Sequence, residues 1–103
     1  MHPYEPVGCF QDAFYPRALP SLIRVYIVNE TDLTNSFATI IHACANEVYG
    51  HGFRYFGLQY RMECWSGENG DMTYDRHGRS QNCYSNYGVG GLWTTFVYRF
   101  VGG

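Results

Sequence analysis

The segment GFRYFGLQYRMECWSG, running from Gly52 to Gly67, decides the fold. Side chains alternate along a β-strand with a period of two, so within residues 53–60 Phe56, Leu58 and Tyr60 share one face. Arg54 and Gln59 interrupt the run on either side, which predicts a central, half-buried strand. Directly upstream, Leu33, Phe37, Ile40, Ile41, Cys44 and Val48 recur at spacings of three and four, the stripe of an amphipathic helix of about four turns. Thr34 is the expected N-cap, with Asn35 and Asp32 as alternatives, and Gly50 or Gly52 supplies the left-handed stop. Cys44 falls on the buried stripe.

Working outward, residues 4–10 predict a short first strand around Val7, Cys9 and Phe10. Residues 11–22 hold Pro16 and Pro20 with Arg17 between them and predict an irregular connection. The β-branched run at residues 24–28 predicts a second strand, ended by a polar turn. Residues 68–82 are polar and aperiodic, the pattern of a long ordered loop, and such loops are often functional. After the glycine-rich residues 87–91, Phe96, Tyr98 and Phe100 alternate with Val97 and Arg99 in a closing strand. The expected class is therefore α+β, one amphipathic helix packed on a small antiparallel sheet, in a single domain over residues 1–103.

Composition narrows the function. A hydrophobic content of 46% against 16% charged residues describes a chain that folds. Its net charge of -2 offers no footprint for a phosphate backbone, so nucleic acid is not an expected partner. All seven basic residues are arginine, which excludes Schiff-base and amine-nucleophile mechanisms. No apolar run of about twenty residues is present, so membrane insertion by a helix is not expected. The first residues, Met-His-Pro-Tyr-Glu-Pro, lack the basic start and apolar core of a signal peptide: either one has been removed or the protein is not secreted.

The cysteines favour the secretory route. Cys9, Cys44, Cys64 and Cys83 form an even set without a C-x-x-C pair, the pattern of two disulfides in an oxidising compartment. Four cysteines allow three connectivities. Stapling the helix stripe to the neighbouring strand favours Cys44 with Cys64, leaving Cys9 with Cys83. Asn29-Glu30-Thr31 is an N-glycosylation sequon with Asn29 as acceptor.

Val7-Gly8-Cys9-Phe10, Arg17-Ala18-Leu19, the cysteine-bearing helix, Tyr55-Phe56-Gly57-Leu58-Gln59-Tyr60 and Glu63-Cys64-Trp65-Ser66-Gly67 together resemble a WSC-type domain over residues 7–67. The resemblance implies an extracellular carbohydrate-binding module, with a helix on a small antiparallel sheet, related in outline to the PAN/apple arrangement. This chain departs from the family in its four cysteines where about eight are usual, and Ser66 stands where a second thiol would follow the aromatic residue.

Aromatic residues make up 18% of the chain, and tyrosine and tryptophan suit stacking on a sugar ring while hydrogen-bonding its hydroxyls. Tyr74, Tyr84, Tyr87 and Trp93 are the expected platform, with Asp71, Asp75, Arg76 and Asn82 as polar partners. Core filling competes for each of these rings, and for Trp65, beside a cysteine, burial is the expected fate. Asn69, Asp71, Thr73 and Asp75 alternate like calcium ligands, but Tyr74 and Ser80 stand where an EF-hand loop needs glycine and glutamate, so a solvated turn is expected and no metal or cofactor. His42, His51 and His77 make no catalytic set with Glu47, Asp71 or Asp75, and His42 and Glu47 do not share a helix face. Glu63, Glu68, Asp71 and Asp75 at arbitrary spacing do not define a glycosidase pair. The expected function is non-enzymatic glycan or glycoprotein binding by a secreted module; the alternative is an extracellular protein-interaction or adhesion module, with self-association.

Overall fold

A computed structural model describes residues 2–102. Five antiparallel strands, β1 (Tyr4–Gln11), β2 (Ser21–Val25), β3 (Tyr55–Gln59), β4 (Glu63–Ser66) and β5 (Thr94–Phe100), form one sheet in the order β1-β5-β3-β4-β2. Helix α1 (Leu33–Gly50) covers one face, and α2 (Gly70–Thr73) is a single turn over the other. The α+β class holds, with β3 at the centre as its alternating pattern predicts.

That strand is buried on both faces, not one. Phe56 and Leu58 are fully buried under α1, where Phe37, Ile40, Ile41, Cys44, Ala45 and Val48 meet them. Gly57 and Gln59 are buried on the opposite face, beneath residues 12–20. A Cβ on Gly57 would strike the Thr95 side chain and lie 3.3 Å from Leu19 Cδ1, so this second layer reaches the backbone only because the position is glycine. Tyr60, expected beside Phe56 and Leu58, is instead exposed, because the strand ends at Gln59 and Tyr60 enters a left-handed turn at φ 50°.

Boundaries move where tertiary pairing overrides propensity. The second strand lies at Ser21–Val25 and not at residues 24–28, because its partner β4 has four residues and the ladder closes at Val25↔Glu63. Beyond a last bond from Tyr26 N–H to the Met62 carbonyl, Ile27 stands in solvent. Both edge strands carry register shifts, between Pro6 and Gly8 in β1 and between Leu22 and Arg24 in β2, and such bulges twist an edge away from further pairing. The N-cap is Asp32, not Thr34, which sits inside the helix; the Asp32 carboxylate accepts from Asn35 Nδ2 at 2.8 Å and makes no backbone cap. Gly52, at φ 78°, turns the chain after the helix while Gly50 remains helical.

Both disulfides have the expected pairing. Cys44–Cys64 joins α1 to β4 inside the core, with both residues wholly buried, and Cys9–Cys83 ties β1 to the segment following the polar loop.

The aromatic end of the core carries a pH dependence. Burial pushes the Tyr98 phenol well above the ordinary tyrosine range, with the neighbouring Tyr4 adding to it, and burial raises Tyr4 as well. The Tyr98 hydroxyl donates to the Gly88 carbonyl at 2.7 Å. Because the folded state holds these protons more tightly than the unfolded chain, their contribution is complete below about pH 10 and is lost as pH rises from there toward the higher folded values. Chemical denaturation across alkaline pH should show stability falling above about pH 10, by up to about 1.4 kcal/mol per pH unit for Tyr98 and by less for the more exposed Tyr4, with a shallower fall in Tyr98→Phe.

Candidate functional site

The sheet face opposite α1 is shaped by one buried carboxylate. Asp12, whose side chain is 2% exposed, accepts through Oδ1 from the backbone N–H groups of Ala13 (2.8 Å) and Ala18 (2.9 Å), and through Oδ2 from Arg17 Nη1 (3.2 Å). Its own N–H donates to the Trp93 carbonyl at 2.9 Å. A proline-containing segment without ladder partners must find its hydrogen bonds locally, and here a single aspartate supplies them. Residues 13–17 are thereby thrown outward while Ala18 and Leu19, each 2% exposed, plug the face below.

At the crest, the Arg17 guanidinium lies 4.1 Å from the Trp65 ring centroid, 5.3 Å from Trp93 and 5.8 Å from Phe14. Aromatic faces attract a guanidinium, and the Asp12 ion pair fixes it from below. Trp65 is buried as expected, and its Nε1 donates to Glu63 Oε1 at 3.1 Å. Phe14 and Tyr15, by contrast, are 77% and 87% exposed, and Trp93 is 37% exposed.

The polar loop docks against this segment. Three successive carbonyls accept from its side chains: Pro16 from His77 Nε2 at 2.6 Å, Arg17 from Arg76 Nη1 at 3.3 Å, and Ala18 from Thr73 Oγ1 at 2.5 Å. The first bond requires the His77 tautomer that carries its proton on Nε2. Between the two segments lies an open depression of about 710 Å³, with Phe14, Tyr15, Arg17, Glu68, Asn69 and Arg76 among its lining residues. This loop, expected to be uninterrupted, contains the α2 turn, and Asn69, Asp71, Thr73 and Asp75 lie on or beside that turn. The Thr73 hydroxyl is engaged with the Ala18 carbonyl.

The expected platform is divided by the fold. Arg76 and Trp93 flank Arg17. Tyr74 stacks on Tyr55 at 5.0 Å and meets Phe10 edge-on, so its ring serves packing. Tyr87 packs against Phe37 at the helix, 5.1 Å between centroids. Tyr84 is half-exposed and bridges to Val89, while the Asn82 carbonyl accepts from Thr94 Oγ1 at 3.1 Å; neither lines the depression. Asp71 and Asp75 are exposed outside its lining. His42 bonds to the Tyr4 hydroxyl at 2.8 Å, and Glu47 pairs with Arg24.

Sequence reasoning missed Asp12, Phe14 and Tyr15. For the two aromatics a signal was present, because large rings stand there in a proline-flanked connection that has no alternation to bury them. The Asn29 sequon is exposed, and Asn29 Oδ1 accepts from both Thr31 N–H (3.1 Å) and Thr31 Oγ1 (2.7 Å). No family model matches the chain, and no curated protein is significantly similar to it.

Proposed function

We propose that this chain is a secreted, non-enzymatic carbohydrate-binding module whose site is the depression beside Arg17. The carrying observation is the juxtaposition of two exposed aromatic rings, Phe14 and Tyr15, with Glu68, Asn69 and Arg76 around one open surface. A sugar presents an apolar C–H face and a rim of hydroxyls, and a shallow site with a flat ring beside a few fixed polar groups meets both. The WSC-like residues support this reading, as do two disulfides and an exposed sequon, which fit an oxidising, extracellular setting. Of the expected residues, Arg76 lines this depression and Trp93 lies beside Arg17 outside its lining, and Phe14 and Tyr15 take the place of Tyr74, Tyr84 and Tyr87.

A second reading is favoured by the apolar residues Leu22, Val25, Ile27 and Leu92, each at least half exposed, which suit a protein-interaction or adhesion module. Glycan-array binding followed by calorimetry separates the two. Carbohydrate binding requires a saturable ligand whose affinity drops about tenfold, about 1.4 kcal/mol, in Tyr15→Ala. Silence across the array together with concentration-dependent self-association favours the protein-interaction reading.

A further inference from the structure

Among the described residues, three that are not glycine have φ in the left-handed region: Tyr60 at 50°, Arg61 at 69° and Trp93 at 56°. Side chains raise the energy of that conformation, and glycine adopts it without penalty. The geometry is imposed by a lattice of backbone bonds: Tyr60 N–H to the Gly91 carbonyl (3.0 Å), Arg61 N–H to Gly90 (2.8 Å), Gly90 N–H to Leu58 (2.8 Å) and Asp12 N–H to Trp93 (2.9 Å). Arg61 has a structural return, a two-pronged ion pair with Glu30 at 3.1 Å for each prong. Tyr60 has no side-chain hydrogen bond or ring stacking among the described residues: it is 49% exposed, and together with Trp93 it lines a second depression of about 180 Å³. Trp93 packs against Arg17, whereas Tyr60 is an aromatic at a left-handed position with its residue half in solvent, an outlier of the kind that clusters at ligand-binding sites.

The remaining walls of that depression are Arg17, Gln59, Glu63 and Leu92. Gln59, 4% exposed, accepts the Thr95 hydroxyl at its Oε1 (3.1 Å), which leaves its Nε2 hydrogens for a ligand. Glu63 receives Trp65 Nε1 on Oε1 and keeps Oε2 as an acceptor. Two rings, a donor and an acceptor around a space of about six water volumes match one sugar ring and its hydroxyls. Arg17 lines both depressions and is the residue they share.

We infer that Tyr60, Trp93, Gln59 and Glu63 form a second sugar subsite joined to the first across Arg17, so that the ligand is an extended oligosaccharide and not a single terminal sugar. This rests on the carbohydrate reading of the first depression. Its test is calorimetry with oligomer ladders, from monomer to hexamer, of glucose, N-acetylglucosamine, mannose, xylose and hexuronic acids, on the wild-type protein and on Tyr60→Gly. The subsite requires affinity that tightens about tenfold or more with length, and a Tyr60→Gly variant that loses this gain, keeps the affinity for the shortest ligand bound, and has an unchanged or higher Tm. Length-independent affinity, or a Tyr60→Gly variant that binds every length as wild type does, overturns the subsite and leaves the first reading standing. Absence of binding across all the ladders overturns both. A lowered Tm in Tyr60→Gly assigns the ring to structure and overturns the inference.

Discussion

A protein carrying Cys44→Ala and Cys64→Ala is expected to lose cooperative folding near physiological temperature. The bridge closes a sequence separation of 20 residues, for which chain entropy alone gives about 3 kcal/mol. Both sulfurs lie in the middle of the core against α1 and β3, so their removal also opens a cavity between helix and sheet. Set against the 5–15 kcal/mol typical of a whole domain, the combined loss, about 4–5 kcal/mol, takes from a third to nearly all of the margin. Thermal melts followed by near-ultraviolet circular dichroism would show it as a lowered or missing transition. The wider Cys9–Cys83 bridge, with a separation of 74, carries about 4.5 kcal/mol in the same entropic account, but it lies at the edge of the sheet, so its loss adds no comparable cavity.

Asp12→Ala is expected to cost about 3 kcal/mol and to disorganise the site with it. The substitution strands the Ala13 and Ala18 N–H groups and removes the carboxylate paired with Arg17, and breaking a buried pair from one side costs several kcal/mol because the other charge remains. Asp12→Asn keeps one carbonyl acceptor while losing the ion pair, so it should fall between wild type and Asp12→Ala. Urea denaturation of the three proteins gives that order directly. Because Arg17 is held between Trp65 and Trp93 only while Asp12 anchors it, tryptophan fluorescence should change in parallel with the loss of stability.

Much of this architecture was written in local patterns. The stripe from Leu33 to Val48 has a single solution as a helix, and the alternation around Phe56 and Leu58 has one as a strand beneath it, which is why the staple between Cys44 and Cys64 could be anticipated. The outer layer was not legible, because it depends on contacts of long sequence separation: Ala18 with Thr73, Arg17 with Arg76, and Asp12 with Trp93. No period marks such pairings. The expected platform was not legible as one surface either: Tyr74 and Tyr87 pack against Tyr55 and Phe37, where a small core takes up large rings. Exposure of Phe14 and Tyr15 follows from the Asp12 anchor, and a lone aspartate in an irregular segment carries no signal of burial.

The same anchor sets what a ligand would meet. Asp12 fixes Arg17, Arg17 aligns Trp65 and Trp93, and the carbonyls of residues 16–18 hold the polar loop in place, so the surface is preorganised and binding would not have to order it.

The most direct measurement is an amide and aromatic nuclear magnetic resonance titration of the native protein with the saccharides that bind on the glycan array. Carbohydrate binding at the Arg17 surface predicts saturable shifts concentrated at Phe14, Tyr15, Arg17, Asn69, Arg76 and Trp93, with α1 undisturbed. Shifts centred on Tyr84, Tyr87 or the helix, or no shifts with any saccharide, would contradict it.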